Sequence, residues 1–288
     1  VTAARLDGVA AARDIYARLK ARVAVLARAG VLPGLAAVRV GDDPASKIYV
    51  RNKVRACEEA GVRSEEVLLP GACSQAAVIE ALEKLNRDAR VHGILLQLPL
   101  PAHFDSAAIM QAIAPAKDVD GLTQASLGAL LAGRPTFEPC TPAGVMVLLE
   151  RAGIACDRRR AVVVGRSVIV GKPMALMLMA RGATVTVCHS RTPDLGAETR
   201  HADILVAATG HPGLITRAMV KPGAAVVDVG ISRLDGGKLA GDVDAASVAP
   251  VAGWLSPVPG GVGPMTVAML IANTVTAAER VRPGAVSS

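Results

Sequence analysis

Lys53 follows Tyr49 by four positions in a segment whose apolar residues recur at helical spacing. The amine and the phenol therefore share one helix face and can reach into one cleft. Gln97 interrupts the apolar run Leu95-Leu96-Gln97-Leu98-Pro99, and a lone amide at the end of a buried strand needs a partner. Asp118 and Asp120 stand in the turn-rich acidic stretch Lys117-Asp118-Val119-Asp120-Gly121. Each has a plain structural alternative: a helix lysine is usually solvated, a helix tyrosine packed, and an Asp before Gly a turn former. Asp42 and Asp43, in Gly41-Asp42-Asp43-Pro44, are read as turn formers.

A second constellation points to phosphate. Val162-Val163-Val164-Gly165-Arg166-Ser167-Val168-Ile169-Val170-Gly171-Lys172-Pro173 reads as a strand, a glycine-bearing loop and a helix beginning near Pro173. Such a turn aims backbone N–H groups at an anion, and the helix dipole adds to the attraction. It is not the usual Gly-x-Gly-x-x-Gly, and a βα turn without a ligand is the competing reading. The next strand, Thr184-Val185-Thr186-Val187-Cys188, ends in His189-Ser190-Arg191, where NAD enzymes usually carry an acidic residue for the ribose hydroxyls. Arg166, Ser190 and Arg191 instead suit a 2′-phosphate, which favours NADP over NAD. His189 is read as a polar strand end rather than a catalytic group. Later strands end at Thr209-Gly210 and Gly230-Ile231, where glycine lets the chain pass close to a nicotinamide ring.

The elements that must position these residues alternate between short apolar runs and helical patterns, the signature of an α/β protein with parallel sheets. Helices are expected over Gly8 to Ala29, Ala45 to Ala60, Ser74 to Asn86, Ala143 to Ala152 and Met265 to about Val281. Strands are expected at Leu35 to Val40, Gly93 to Leu98, Ala161 to Val164, Thr184 to Cys188, Ile204 to Ala207 and Ala225 to Val229. A chain of 288 residues is long enough for two ordinary domains. The turn at Pro139 to Pro142 suggests a substrate domain of residues 1–143 plus 265–288 and a Rossmann-like domain of residues 144–264.

Composition narrows the classes. Hydrophobic residues make up 51% but aromatics only 2%, so the cores must be filled by small aliphatic side chains. The apolar stretches near Met174 to Met179 and Val267 to Ala272 are too short or too interrupted to span a bilayer. Val1 to Gly8 lacks a basic cap followed by an apolar run, so no secretory signal is expected and a cytoplasmic location follows. Cys57, Cys73, Cys140, Cys156 and Cys188 are odd in number and widely spaced, which indicates neither a disulfide framework nor a metal site. The net charge of +7 is scattered, with little aromatic surface for stacking on bases, and an anionic small ligand accounts for it as well as nucleic acid does.

Taken together, the motifs resemble those of the bifunctional methylenetetrahydrofolate dehydrogenase/methenyltetrahydrofolate cyclohydrolase family. The matching segments are Val40-Gly41-Asp42-Asp43-Pro44-Ala45-Ser46 with Tyr49-Val50-Arg51-Asn52-Lys53, Gly93-Ile94-Leu95-Leu96-Gln97-Leu98-Pro99-Leu100-Pro101, and Lys117-Asp118-Val119-Asp120-Gly121. Pro139-Cys140-Thr141-Pro142, Gly165-Arg166-Ser167 with Val170-Gly171-Lys172-Pro173, and Pro257-Val258-Pro259-Gly260-Gly261-Val262-Gly263-Pro264 complete the set. They span nearly the whole chain in the family's order. After Asp120-Gly121 many members carry Phe-His-Pro and then Asn, whereas this chain reads Leu122-Thr123-Gln124-Ala125-Ser126.

The resemblance implies a homodimer with a folate-binding N-terminal domain, an NADP-binding C-terminal domain, a cleft between them, and a last helix returning to the first domain. It implies oxidation of methylene-tetrahydrofolate and hydrolysis of the methenyl product, steps of one-carbon metabolism that serve purine biosynthesis. By motif, Lys53 is the key catalytic residue, Tyr49 packs on the folate, Gln97 partners Lys53, and Asp120 grips the pterin. Pro259, Gly260 and Gly261 line the cleft, while Gly165, Arg166, Ser167, Ser190 and Ile231 bind the cofactor. Three other readings stay open: a monofunctional dehydrogenase of the family, a dehydrogenase of the same plan for an amino acid or shikimate-like substrate, and a non-catalytic dinucleotide sensor.

Overall fold

The computed structural model describes residues 2–281, without the side chains of Pro44, Ala45, Ser46, Ile48, Tyr49 and Asp235. In chain order the first half contains β1 (Ala4–Arg5), α1 (Gly8–Arg28), β2 (Gly34–Val40), α2 (Pro44–Ala60), β3 (Arg63–Leu69), α3 (Gln75–Arg87) and β4 (Gly93–Leu96). The short helices α4 (Ser106–Met110) and α5 (Gln124–Leu131) then lead to α6 (Cys140–Arg151). The second half continues with β5 (Arg160–Val164), α7 (Gly171–Ala180), β6 (Thr184–Cys188), α8 (Leu195–Thr199), β7 (Ile204–Ala207) and β8 (Ala225–Asp228). A two-stranded ribbon of β9 (Ser232–Arg233) and β10 (Leu239–Ala240), then α9 (Ala245–Val248), β11 (Trp254–Leu255) and α10 (Val262–Arg280) complete the chain.

The chain divides into two compact units, Asp14–Cys140 with Val267–Ser288, and Val1–Arg13 with Thr141–Thr266. The first is built on a three-stranded parallel sheet in the order β3-β2-β4. All seven residues of β2 are buried, as a central strand of a covered parallel sheet requires. Ala36, Val38, Ile94 and Leu96 pack on Val78, Leu82 and Leu85 of α3, so the core on this side is aliphatic as the composition demands. Ser74 caps α3 by accepting from the Ala77 N–H, which sets the helix start one residue after the expected one. Strand β3 escapes sequence reading because its first half, Arg63-Ser64-Glu65-Glu66, is charged; it lies at the sheet edge, where charge is tolerated.

The second unit carries a six-stranded sheet in the order β1-β11-β8-β7-β5-β6, parallel throughout. Val162, Val164, Leu205, Ala207 and Val226 form its core with Ile215 and Val243. Here the expected division needs correction. Residues 1–13 belong with the dinucleotide-type sheet and not with the substrate domain, because Ala4 and Arg5 pair in register with Trp254 and Leu255 of β11. A two-residue edge strand carries too little periodicity to be read from sequence.

Candidate active site

In the Asp14–Cys140 unit, α2 presents Lys53 and the end of β4 presents Gln97. The expected strand to Leu98 stops at Leu96, yet the Gln97 backbone N–H still donates to the Val38 carbonyl at 2.9 Å. That bond fixes the buried amide on the central strand. Its Nε2 donates to the Leu98 carbonyl at 2.6 Å, which turns Oε1 toward Lys53. Lys53 Nζ donates to Gln97 Oε1 at 2.9 Å, so the lone amide finds its partner. Tyr49 lies one turn earlier on α2, and its side chain is outside the described residues.

The acidic stretch divides its labour. Asp118 is buried, and its carboxylate accepts from the N–H groups of Gly121 (3.0 Å), Leu122 (3.2 Å) and Thr123 (2.8 Å) and from the Ser126 hydroxyl (2.6 Å). Thr123 in turn caps α5. Three of these four donors lie in the stretch that departs from the family's usual residues. Asp120 is freed from turn-making and retains some exposed surface. Burial pushes its carboxyl above the usual carboxylate range, while the Lys53 charge opposes the shift. Lys53 is held below the ordinary lysine value chiefly by burial, with the negative charge of Asp120 pulling the other way. The amine and the carboxylate thus stand in each other's field, and desolvation pushes both toward neutrality.

Sequence reasoning missed Cys140 and Asn273. The Cys140 thiol is buried and donates to the Val119 carbonyl at 3.2 Å, with the Asp120 carboxylate in its neighbourhood. Burial and the neighbouring acid push that thiol well above its ordinary value, so it serves as a hydrogen-bonding group and not as a thiolate nucleophile. Asn273 of α10 donates to the carbonyls of Val119 (2.9 Å) and Glu138 (3.1 Å), which pins the chain on either side of Asp120 and Cys140. The signal for Cys140 was its place in Pro139-Cys140-Thr141-Pro142, a segment that carries the family resemblance, whereas Asn273 looked like any helix-surface amide.

In the Thr141–Thr266 unit the Gly165 loop joins β5 to α7. Gly165 has φ of +120°, and a Cβ there would stand 2.1 Å from the Ala208 carbonyl oxygen, so the turn admits no side chain. Helix α7 begins at Gly171, earlier than the expected start near Pro173, because the Ser167 hydroxyl accepts from the Val170 (3.2 Å) and Gly171 (3.3 Å) N–H groups. Arg166, Ser190 and Arg191 are all exposed at the carboxyl ends of β5 and β6. Two guanidinium groups and a hydroxyl, with no carboxylate in His189-Ser190-Arg191, form a donor set that fits a 2′-phosphate. His189 organises this turn: its Nδ1 accepts from the Arg191 N–H (3.1 Å) and its own N–H donates to Thr192 Oγ1 (3.0 Å).

Ile231 is 41% exposed after β8, beside Gly263 of α10. Pro259 is exposed, Gly260 half-buried and Gly261 buried, and the Gly260 carbonyl accepts from the Gly8 N–H at 3.0 Å. Among the described residues no group of three or more His, Cys, Asp or Glu is placed to hold a metal ion, and no helix is long and apolar enough to cross a membrane.

Two family models match the chain: "Tetrahydrofolate dehydrogenase/cyclohydrolase, catalytic domain" over residues 6–120, and "Tetrahydrofolate dehydrogenase/cyclohydrolase, NAD(P)-binding domain" over residues 139–282. The chain is 58% identical over 275 residues to the Bifunctional protein FolD of Moorella thermoacetica, covering 96% of this chain and 98% of that one. It is 57% identical over 280 residues to that of Bordetella avium, covering 97% and 99%. Among solved structures, the FolD methylenetetrahydrofolate dehydrogenase/cyclohydrolase of Campylobacter jejuni superposes with a TM-score of 0.94 at 46% identity, covering 96% and 98%. The Trypanosoma brucei enzyme, described as complexed with NADP cofactor and inhibitor, superposes with a TM-score of 0.93 at 40% identity, covering 97% and 98%.

Proposed function

Because this chain belongs to the tetrahydrofolate dehydrogenase/cyclohydrolase family, we propose that it oxidises methylene-tetrahydrofolate with NADP and hydrolyses the methenyl product to formyl-tetrahydrofolate, with Lys53 as the proton-transfer group. The observation that carries the assignment of Lys53 is its 2.9 Å hydrogen bond to Gln97 at a position where burial lowers the lysine pKa. NADP, when bound, accepts the hydride. Loss of that hydride leaves a cation delocalised over an N–C–N unit, so the step needs alignment of two bound molecules and no dedicated acid or base.

The hydrolytic step is different, since water adding to the cationic carbon must lose a proton, after which one C–N bond breaks, its electron pair going to the nitrogen, which takes up the hydroxyl proton as the formyl C=O forms. A lysine poised toward its free amine can take that proton, and a cationic substrate beside it lowers its pKa further. Gln97 Oε1 accepts from the ammonium, which holds Nζ in place as the proton arrives. Asp120 accepts two hydrogen bonds from the aminopyrimidine edge of the folate, whose donors offset the burial that raises its carboxyl pKa. Tyr49 stacks on the folate.

On the cofactor side, the Gly165 turn and Ser167 present the pyrophosphate end of α7, Arg166 and Ser190 take the 2′-phosphate, and Ile231 packs on the nicotinamide half. The folate unit comprises Asp14–Cys140 and the C-terminal part of α10, and the NADP unit the remainder. The enzyme acts as a homodimer; β3 supports this as an edge strand of seven residues that leaves Leu68 52% exposed. A cytoplasmic location suits five cysteines that are all free thiols.

A parallel spectrophotometric assay tests the reading. NADPH formation from methylene-tetrahydrofolate together with accelerated decay of added methenyl-tetrahydrofolate is expected, with NAD a poorer acceptor. Reduction without accelerated decay would leave a monofunctional dehydrogenase, and neither activity would overturn the assignment.

A further inference from the structure

Two buried carboxylates in the Thr141–Thr266 unit have no part in the chemistry above. Asp228 ends β8 and is 3% exposed; its Oδ1 accepts the N–H groups of Gly230 (3.0 Å) and Asp242 (2.9 Å), and its Oδ2 accepts that of Val243 (3.0 Å). Asp242 is fully buried, and its Oδ2 accepts the N–H groups of Gly210 (3.1 Å) and Thr209. The other Asp242 oxygen, Oδ1, is buried with no hydrogen-bond partner among the described residues. It abuts Gly230, where a Cβ would stand 2.2 Å from it. The two side chains therefore interlock three backbone segments: the turn after β7, the turn after β8, and residues 241–243.

A buried acceptor left unpaired is disfavoured, and its retention needs a reason. An apolar residue would fill the same space without that cost. It would not gather the two N–H groups at the end of β7.

What those turns do follows from the topology. In the six-stranded sheet β5 has β6 on one side and β7 on the other, so the strand order reverses there and a dinucleotide crosses at the carboxyl edge. Ser190 and Arg191, which face the 2′-phosphate in the proposed function, follow β6 and place the adenosine half on that side. The nicotinamide half then lies over the ends of β7 and β8, where Thr209-Gly210 and Gly230-Ile231 stand.

We infer that Asp242 is a positioning residue for the dinucleotide: it fixes the Thr209-Gly210 turn directly and the Gly230-Ile231 turn through Asp228. The inference rests on the proposed NADP-dependent activity for the identity of the ligand. It is not a catalytic role, since Asp242 is enclosed and touches neither cofactor nor substrate.

The test compares Asp242→Ala with Asp242→Asn, whose carbonyl oxygen can still accept both N–H groups. NADPH binding is titrated by fluorescence at pH 8, where Asp228, pushed up to about 6 by burial, is ionised. Hydrolysis of methenyl-tetrahydrofolate without cofactor is measured beside it, because that chemistry belongs to Lys53 in the other unit. A tenfold or greater weakening of NADPH binding is expected for Asp242→Ala, with hydrolysis within twofold of the unsubstituted protein and Asp242→Asn within threefold in NADPH binding. Should Asp242→Ala not fold, Asp242→Ser, too short to span both N–H groups, takes its place with the same expected pattern. NADPH binding within twofold of normal in the folded variant would overturn the inference, as would equal loss of binding and hydrolysis in both variants. Failure of the dehydrogenase reading itself would show differently, as no turnover by the unsubstituted protein.

Discussion

Gln97→Leu isolates the contact on which the proposed hydrolytic step depends. Leucine preserves the volume and apolar fit at the end of β4 but removes Oε1, the acceptor of the 2.9 Å bond from Lys53 Nζ. A hydrogen bond involving a charged group contributes about 1.5–3 kcal/mol, and at 1.36 kcal/mol per decade its loss corresponds to a rate decrease of roughly 10- to 160-fold. The pH dependence should move as well. Gln97 Oε1 favours the ammonium form, so its removal lowers the Lys53 pKa further and shifts the limb that rises with deprotonation to lower pH. Gln97→Glu places a negative charge at the same point and should shift that limb to higher pH. The assay is the initial rate of methenyl-tetrahydrofolate hydrolysis without cofactor, followed across the pH range with the uncatalysed rate subtracted. A Gln97→Leu rate within threefold of normal with an unmoved profile would refute the argument that Gln97 holds Lys53 for proton transfer.

Two further substitutions probe the same unit. Lys53 has a folded-state pKa below its unfolded value of about 10.5, so the unfolded chain binds more protons between the two values and stability falls as pH drops through that window. Lys53→Met should therefore abolish hydrolysis while raising the melting temperature at pH 7, by a margin that shrinks toward pH 10; a lower melting temperature at pH 7 would contradict the burial argument. Asp118→Ala leaves four donors, Gly121, Leu122, Thr123 and Ser126, without their acceptor, and should cost about 3 kcal/mol or more in urea unfolding. A loss below about 1 kcal/mol would show that this carboxylate does not organise the loop.

The α/β class is legible along the chain, through apolar runs such as Val162-Val163-Val164 that suit a covered parallel strand, and through glycines where the chain must turn tightly. The need of Gln97 for a partner is legible too, since an amide in an apolar strand has few alternatives. Periodicity, turn chemistry and the demand for hydrogen bonds are local, and local rules can be read along a chain. Pairing between distant segments emerges only on folding: Ala4 and Arg5 join β11, Cys140 and Asn273 close on the Val119 carbonyl beside Asp120, and Asp242 reaches the turn after β7. The two aspartates of Lys117-Asp118-Val119-Asp120-Gly121 look alike in sequence, yet Asp118 accepts from three backbone N–H groups and a hydroxyl of its own loop while Asp120 takes none of them. That difference arises from burial and from which donors fold against each carboxylate, and neither is a property of the residues themselves.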